Sequence, residues 1–251
     1  MAINRVKQIW REGGTAFGAW LSIPSTLSTQ VLSHAGYDYI CLDLQHGLID
    51  DAAAAEMLLA ISTTDATPFV RVPANDFAAI NRVLDAGALG VVVPLVQTSD
   101  DAHRAASACR YPPNGTRSYG PVRAALAHGP DYFAQANDLV AIVPMIETRQ
   151  AAEEIDSIAS LPGVDAVYVG PNDLSLAFGQ APAPDNDGAY KRAYHAVAES
   201  CATHGIAAGI HGNADLSQKH MASGYRMITV SSDVGLLRRG AAGDLALAKQ
   251  D

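Results

Sequence analysis

The sequence predicts a single (β/α)8 barrel that spans residues 1–251. Short apolar runs rich in β-branched and aromatic residues alternate with longer, amphipathic, Ala-rich stretches, a pattern typical of parallel strands covered by helices. Eight such units fit into 251 residues, which is about the usual size of a closed barrel. No change in composition and no Pro/Gly-rich linker divides the chain, so we expect one domain.

Each predicted strand is apolar along its whole length. The eight runs are Ala16–Ser22, Tyr37–Asp43, Pro68–Val72, Gly90–Val93, Val140–Ile146, Ala166–Gly170, Ile206–Ile210 and Met227–Ser231. The predicted helices lie between and after them, near Leu27–Ala35, Asp51–Thr63, Phe77–Ala86, Ser99–Arg110, Arg149–Ser160, Gly188–His204, Ala214–Ser223 and Val234–Lys249. An open doubly wound sheet is disfavoured because the segment after the first strand, residues 22–26, lacks the glycines of a dinucleotide-binding loop.

Residues that start helices and long loops refine this outline. We expect Ser25 or Ser28 to cap the helix after the first strand, and Asp50 to cap the helix after the second. The stretch Tyr111–Phe133 is the longest predicted irregular insertion. Loops of that length in a compact domain are usually functional.

Composition excludes several classes of partner. The formal net charge is −9, with 17 Lys+Arg against 26 Asp+Glu, which disfavours nucleic acid and acidic membrane surfaces. No apolar run reaches the roughly 18 residues of a membrane span, and the first residues lack the pattern of a signal peptide, so we expect a cytoplasmic protein. The three widely spaced cysteines favour buried, reduced thiols.

Two carboxylates follow neighbouring predicted strands, Glu147 after the fifth and Asp173 after the sixth. Either residue alone is also typical of a helix cap. In a barrel both lie at the same rim, where catalytic groups collect. Because two neighbouring carboxylates repel each other unless a cation or a proton intervenes, the pair predicts a site for Mg²⁺ or Mn²⁺.

Other ionisable residues are expected at the same rim. His46 follows the second strand and could act as a general base, although a lone His is more often a surface or core residue. Arg71 ends the third strand and requires an anion, either Asp43, Glu147 or a substrate oxygen. Asp85 ends a helix, where an acidic residue is unfavourable without another contact such as an imidazole N–H.

Two further features complete the predicted rim. The turn Gly170-Pro171-Asn172-Asp173 offers free backbone N–H groups that could bind a carboxylate. His211 ends the seventh strand and is a weaker candidate for the pocket of a second substrate.

Several motifs in this order resemble one family over nearly the whole chain. They are Gly36–Tyr39 leading into Asp43–Gly47, Val70–Val72, Val83–Ala88, Arg110–Ser118, Ile146–Thr148 and Val169–Ser175. The sequence is thereby similar to the class II pyruvate aldolases of the HpcH/HpaI type, which include 4-hydroxy-2-oxoheptanedioate aldolase and 2-keto-3-deoxy-rhamnonate aldolase. The resemblance departs at Gln45, where many relatives have Glu, and at Met145, where many have Gln; these changes bear on substrate preference.

The resemblance implies specific roles for the residues at these motifs. A divalent cation, Mg²⁺, Mn²⁺ or Co²⁺, would bind to Glu147 and Asp173, and Asp43 would hold its water ligands. A His46–Asp85 dyad would transfer protons, and Arg71 would stabilise the pyruvate enolate. The residues implied near the substrates are Arg71, Gly170, Pro171, Asn172, Asp173, Ser118, Arg123 and Trp20. It also implies a homo-hexamer, a trimer of dimers, in which subunits exchange the final helix Val234–Lys249.

The function hypothesis is a reversible aldol reaction between pyruvate, or a close 2-oxo acid such as hydroxypyruvate, and an aldehyde. All four lysines fall on predicted helices, which disfavours a Schiff-base mechanism; they are Lys7, Lys191, Lys219 and Lys249. One alternative is an acyl-CoA lyase similar to the citrate lyase β-subunit, although the low Lys+Arg count offers little for the nucleotide phosphates. Another alternative is a metabolite-binding barrel without catalysis.

Overall fold

The computed structural model describes residues 3–249 and contains a closed barrel of eight parallel strands in sequential order. The strands are β1 (Ala16–Leu21), β2 (Tyr39–Asp43), β3 (Thr67–Arg71), β4 (Gly90–Val93), β5 (Ala141–Ile146), β6 (Ala166–Val169), β7 (Ala207–His211) and β8 (Tyr225–Ser232). All eight predicted strands are present, and the single (β/α)8 barrel is confirmed.

Helices surround the barrel and cover its N-terminal end. They are α1 (Arg5–Arg11), α2 (Thr26–Ser33), α3 (Asp51–Ile61), α4 (Phe77–Asp85), α5 (Ser99–Cys109), α6 (Val122–His128), α7 (Tyr132–Leu139), α8 (Arg149–Glu153), α9 (Ile155–Ala159), α10 (Pro171–Ala177), α11 (Ala189–His204), α12 (Ser217–Ala222) and α13 (Asp233–Ala248). Ser25, rather than Ser28, caps α2, and Asp50 caps α3 as predicted. None of the helices within residues 3–249 is both long and apolar enough to span a membrane.

The strands are buried on both faces, so their alternate residues serve two different cores. One core lies between the strands and the helices. The other fills the barrel, where the hydroxyl groups of Tyr39 and Tyr168 lie 2.9 and 2.5 Å from the Thr229 Oγ1. These mutual hydrogen bonds satisfy three polar groups that would otherwise be buried without partners. The three cysteines are buried and free, as the sequence predicted.

The largest differences from the predicted elements lie outside the strands. The segment Tyr111–Phe133 is not wholly irregular, because α6 forms between Pro121 and Gly129, where the chain is rich in good helix formers. Helix α10 follows β6 directly and begins at Pro171, a residue that suits the first helical position. The predicted helix Arg149–Ser160 divides at Glu154 into α8 and α9.

The final helix α13 lies mostly on the surface. Of its residues only Asp233 is buried, whereas Val234, Leu237, Leu245 and Leu247 are exposed. An apolar helix face without cover in one chain is compatible with subunit contact. The exchange of this helix in a hexamer stays a prediction.

A buried charge network closes the N-terminal end of the barrel. The Asp165 carboxylate, just before β6, lies 2.6 Å from the Lys7 Nζ of α1 and 3.1 Å from an Arg110 Nη. It also accepts the backbone N–H of Ile142 at 2.9 Å. Arg110, the residue after α5, donates in addition to the Val140 carbonyl at 3.0 Å, so the network joins α1, the end of α5 and the chain at the starts of β5 and β6.

We expect Asp165→Asn to lower the free energy of unfolding by about 2 kcal/mol or more, because two largely buried cations would lose their carboxylate. Urea denaturation followed by circular dichroism measures the change. The matched control is Asp187→Asn, which removes an exposed ion pair with Lys191 and should alter stability by no more than about 0.5 kcal/mol. Equal effects of the two substitutions would contradict the role of the network.

Candidate active site

A cavity opens at the C-terminal ends of the strands, where the sequence predicted the active site. Its volume is about 130 Å³. The lining residues come from the ends of four strands, from the turn after β2 and from the start of α10; they are Trp20, His46, Arg71, Met145, Gly170, Pro171, Asn172, Asp173 and His211. The strands bring these side chains together because all eight point in the same direction.

Arg71 and Asp43 form a buried, two-pronged ion pair beside the cavity. The Arg71 Nε and Nη2 lie 2.8 and 2.6 Å from the two Asp43 carboxylate oxygens, across paired positions of β2 and β3. Burial alone would raise the pKa of Asp43, but the hydrogen bonds and charge of Arg71 lower it below its ordinary value. Of the two salt-bridge partners considered from the sequence, the structure therefore pairs Arg71 with Asp43.

Asp43 also fixes the turn that carries His46. Its Oδ1 accepts the backbone N–H groups of Gln45 and His46 at 3.1 and 3.2 Å. The turn is tight, since a Cβ at Gly47 would lie 2.2 Å from the Asp43 carbonyl oxygen. The His46 ring is exposed at the cavity and is free to meet a substrate.

Glu147 is a buried carboxylate with one firm hydrogen bond. It is 3% exposed, and its Oε1 accepts the backbone N–H of Leu95 at 2.7 Å. Leu95 adopts a positive φ of 52°, which is unusual for a non-glycine residue and turns its N–H toward the carboxylate. Burial raises the pKa of Glu147, the Leu95 N–H offsets part of the effect, and the charge of Asp173 raises it further.

Glu147 and Asp173 do not cap helices, although the sequence alone also allowed that role for each of them. Thr148 caps α8, and α10 begins after Gly170 without a side-chain cap. The Glu147 Oε2 instead faces Gly170, where an added Cβ would lie 2.7 Å from this oxygen. The Glu147 carboxylate therefore occupies the space that a side chain at position 170 would need.

The donor set fits a hard divalent cation. Within residues 3–249 no group of three or more His, Cys, Asp or Glu side chains is arranged to hold a metal ion. Glu147 and Asp173, whose charges act on each other, are the candidate protein ligands. Mg²⁺ and similar ions are commonly held by one or two carboxylates, with water and substrate oxygens completing the shell. A buried carboxylate that is destabilised by a second one is also the arrangement that a cation would relieve.

Aromatic rings also line the cavity. The Trp20 ring stacks on Tyr168 at 5.6 Å between centroids, and the Arg71 guanidinium lies 5.0 Å from the Trp20 ring centre. His211 meets Trp20 edge-on at 5.1 Å. Burial and the charge of Arg71 lower the pKa of His211 to about 4, so this imidazole is neutral at pH 7.

The predicted His46–Asp85 dyad is not formed within one chain. Asp85 is the last residue of α4, which returns the chain from the rim toward the start of β4 at the other end of the barrel. There its carboxylate accepts a hydrogen bond from the buried Arg117 at 2.9 Å. The contact that makes an acidic residue favourable at this helix end is thus a guanidinium rather than an imidazole.

Ser118 and Arg123 also lie away from the cavity. Ser118 donates its backbone N–H to the Asn81 side chain of α4 at 2.9 Å. Arg123 donates to the Ala86 carbonyl, and burial lowers its pKa. Both residues pack along α4 on the outside of the barrel, so one chain does not place them at the substrate site.

Two residues that the sequence gave no role support the site. The backbone N–H of Leu95 donates to the Glu147 carboxylate, and no pattern of side chains in the sequence predicts such a contact. Asp233 accepts the N–H groups of Ser22 and Ile23 at 3.0 and 2.9 Å, which ties the end of β1 to the start of α13. Asp233 directly follows the last strand, and this position could have indicated that it supports the rim.

Comparisons with known proteins agree with this geometry. The profile of the family described as HpcH/HpaI aldolase/citrate lyase matches residues 16–240. A hydroxypyruvate/pyruvate aldolase from Rhizorhabdus wittichii is 40% identical over 241 residues, which cover 95% of this chain and 96% of the relative. A 5-keto-4-deoxy-D-glucarate aldolase from Citrobacter koseri is 35% identical and covers 94% and 92% of the two chains.

A solved structure extends the likeness to three dimensions. The crystal structure of a HpcH/HpaI aldolase/citrate lyase family protein from Burkholderia cenocepacia J2315 superposes with a TM-score of 0.92 at 34% identity, covering 98% of this chain and all of the other. These proteins and this chain agree in sequence and in fold over nearly their full lengths, which identifies the family. The chain belongs to the HpcH/HpaI aldolase/citrate lyase family and is a carbon–carbon lyase.

Proposed function

We propose that this lyase is a metal-dependent class II aldolase that reversibly joins pyruvate, or a hydroxypyruvate-like 2-oxo acid, to an aldehyde. The observation that carries the proposal is the small cavity lined by Asp173 and Arg71, whose charges also act on the buried Glu147 carboxylate. The volume of about 130 Å³ suits a three-carbon acid, and the rim is open toward a second substrate. The name of the Rhizorhabdus wittichii relative supports the same choice of 2-oxo acids.

Glu147 and Asp173 would hold Mg²⁺, Mn²⁺ or Co²⁺. When bound, the cation supplies Lewis acidity toward the keto group of the substrate. The first turn of α10 lines the same cavity and offers the backbone N–H groups of Asn172 and Asp173 to the substrate carboxylate. These donors would orient the keto group toward Arg71.

Arg71 stabilises the charge that develops during cleavage. As the C3–C4 bond of a 4-hydroxy-2-oxo acid breaks, its electron pair passes into the enolate of the 2-oxo acid, and the guanidinium meets the enolate oxygen. Asp43 keeps the guanidinium in place through two hydrogen bonds, so little reorganisation accompanies the reaction.

His46 moves the proton. In cleavage its exposed ring takes the proton of the C4 hydroxyl, and the aldehyde leaves; in condensation it returns a proton to the new alkoxide. The lysines lie on α1, α11 and α12 and just after α13, away from the cavity lining, which agrees with a mechanism that lacks a Schiff base.

The decisive experiment is proton exchange at the methyl group of pyruvate in D₂O, followed by NMR without any aldehyde. We expect no exchange in EDTA-treated protein and rapid exchange after Mn²⁺ or Mg²⁺ is added, because enolate formation needs the cation and Arg71. Asp173→Asn is the matched negative control. Metal-independent exchange would exclude the proposed mechanism, and release of CoA from citramalyl-CoA without exchange would favour the thioester lyase.

A second prediction concerns the stability cost of Glu147. Because the fold raises the pKa of this carboxylate, its ionisation at neutral pH opposes folding of the metal-free protein. Glu147→Gln should therefore raise the melting temperature of EDTA-treated protein by about 3 °C, or ~1 kcal/mol for a chain of this size. It should also abolish the stabilisation by Mn²⁺ and the exchange activity.

The matched control is Glu153→Gln, which makes the same change on the exposed side of α8. It should leave the melting temperature and the Mn²⁺ response as in the unmodified protein. A Glu147→Gln protein that is less stable without metal, and still stabilised by Mn²⁺, would show that Glu147 has a structural role instead.

A third prediction separates the geometry of Arg71 from its charge. Lysine keeps the charge at this position but cannot make the two parallel hydrogen bonds to Asp43. Arg71→Lys should lower kcat/KM for aldol cleavage about 100-fold, mainly through kcat. Arg149→Lys, an exposed position at the start of α8 on the same rim, is the control and should retain full activity; comparable losses in both would contradict the assigned role.

A further inference from the structure

A second cavity lies at the opposite end of the barrel, beneath α1. Its volume is about 300 Å³, more than twice that of the cavity at the catalytic rim. It is bounded by α1, by the segments that lead into β6 and β7, and by the start of β8; its lining residues are Lys7, Trp10, Arg11, Val164, Asp165, Gly205, Ile206, Ala207 and Arg226. None of them takes part in the mechanism proposed above.

The charges at this cavity do not balance. Lys7, Arg11 and Arg226 line it, and Asp165 is the single acidic lining residue. Both Asp165 oxygens are already engaged, one by Lys7 and the other by Arg110 and the Ile142 N–H. This excess of positive charge contrasts with the formal net charge of −9 for the whole chain.

Two of the guanidinium groups retain unused donors. Arg11 and Arg226 form no salt bridge with a carboxylate in the part of the chain between residues 3 and 249. Arg226 is half-buried and donates one Nη to the carbonyls of Met221 and Tyr225 at 3.0 and 2.9 Å. These contacts hold the planar group at the wall of the cavity and leave its Nε and second Nη for a ligand.

The proximity of the cations is also visible at Lys7. Burial lowers the pKa of this lysine, Asp165 offsets part of the effect, and the charges of Arg110 and Arg11 lower it further. An anion in the cavity would remove the repulsion between these groups. Lys7, Arg110 and Arg11 have one carboxylate beside them, that of Asp165, so the remaining positive charge favours an anionic ligand.

Part of the cavity wall is apolar and rigid. Val164 and Ile206 contribute aliphatic surface, and the Trp10 indole is held by a hydrogen bond from its Nε1 to the Arg226 carbonyl at 3.0 Å. A ring held at the wall of the cavity can pack on the carbon skeleton of a small molecule. The lining therefore suits an organic anion better than a lone inorganic ion.

We propose that this cavity binds a small organic acid with at least two negative charges, held by Arg11, Arg226 and Lys7 and packed against Trp10. Carboxylate and phosphate groups share the bidentate geometry that a guanidinium recognises, so the ligand is either a dicarboxylate or a phosphate ester. The site is separate from the aldolase site and does not depend on the function proposed for it.

The two tryptophans of the chain make the test direct, because Trp10 lies at this cavity and Trp20 at the catalytic rim. Protein labelled with 5-fluorotryptophan, in the presence of Mg²⁺, is titrated with succinate and separately with glycerol 3-phosphate. Trp10→Phe assigns the two ¹⁹F resonances. We expect at least one probe to shift the Trp10 resonance in a saturable way, with a dissociation constant of about 1 mM or lower.

Variants then show whether the arginines are responsible. Arg11→Gln should weaken the binding seen at Trp10 about tenfold, and Arg11→Gln combined with Arg226→Gln should abolish it. Arg104→Gln, which removes an exposed positive charge on α5, should leave it unchanged. Arg11→Gln alone keeps the test valid should the Arg226 change disturb folding, since Arg11 is exposed at the end of α1.

Two results would overturn the proposal. One is that neither probe shifts the Trp10 resonance, whether or not the Trp20 resonance responds. The other is that Arg104→Gln weakens binding as much as Arg11→Gln does. A response to succinate alone identifies the ligand class as a dicarboxylate, and a response to glycerol 3-phosphate alone identifies it as a phosphate ester.

Discussion

The buried ion pair between Arg71 and Asp43 is the interaction on which the rest of the catalytic rim depends. The register of β2 and β3 places the two residues side by side, so barrel closure itself fixes the pair. Through Asp43 the same contact sets the turn that carries His46, and through Arg71 it sets one wall of the cavity beside Trp20. Removing either partner would leave a buried charge unpaired and would release several site residues together.

The neighbouring Glu147 carboxylate follows the opposite principle, because burial raises its pKa and its negative charge therefore opposes folding. Glu147 is buried near a second negative charge, and Leu95 adopts a left-handed backbone to hold it. Such local costs persist only where the surrounding structure is rigid, here the strand ends of a closed sheet. A cation bound by the two carboxylates, as proposed above, would remove this repulsion and restore the charge balance.

The sequence was sufficient to predict the barrel and the composition of its rim. Uniformly apolar strands followed by amphipathic helices define a parallel barrel, and parallel strands bring residues such as Glu147 and Arg71 to one end whatever their separation in sequence. The predicted site residues that one chain does not bring to the cavity are those whose position depends on helices and loops. Asp85 ends a helix rather than a strand, so the topology carries it to the far end of the barrel. Ser118 and Arg123 lie in the long segment between α5 and β5, which contains no strand. The barrel topology therefore does not predict where their side chains lie.

The absence of a side chain at Gly170 has a consequence for changing the substrate range of such an enzyme. Any Cβ at that position would lie against the Glu147 carboxylate. Most substitutions of Gly170 in a mutant library would therefore displace this carboxylate. Gly47 is closed to variation for a similar reason, because backbone atoms surround it. Met145 and His211 line the same cavity, yet neither side chain makes a hydrogen bond within residues 3–249. In directed evolution we therefore expect substitutions to be tolerated at Met145 and His211 and to be rejected at Gly170 and Gly47.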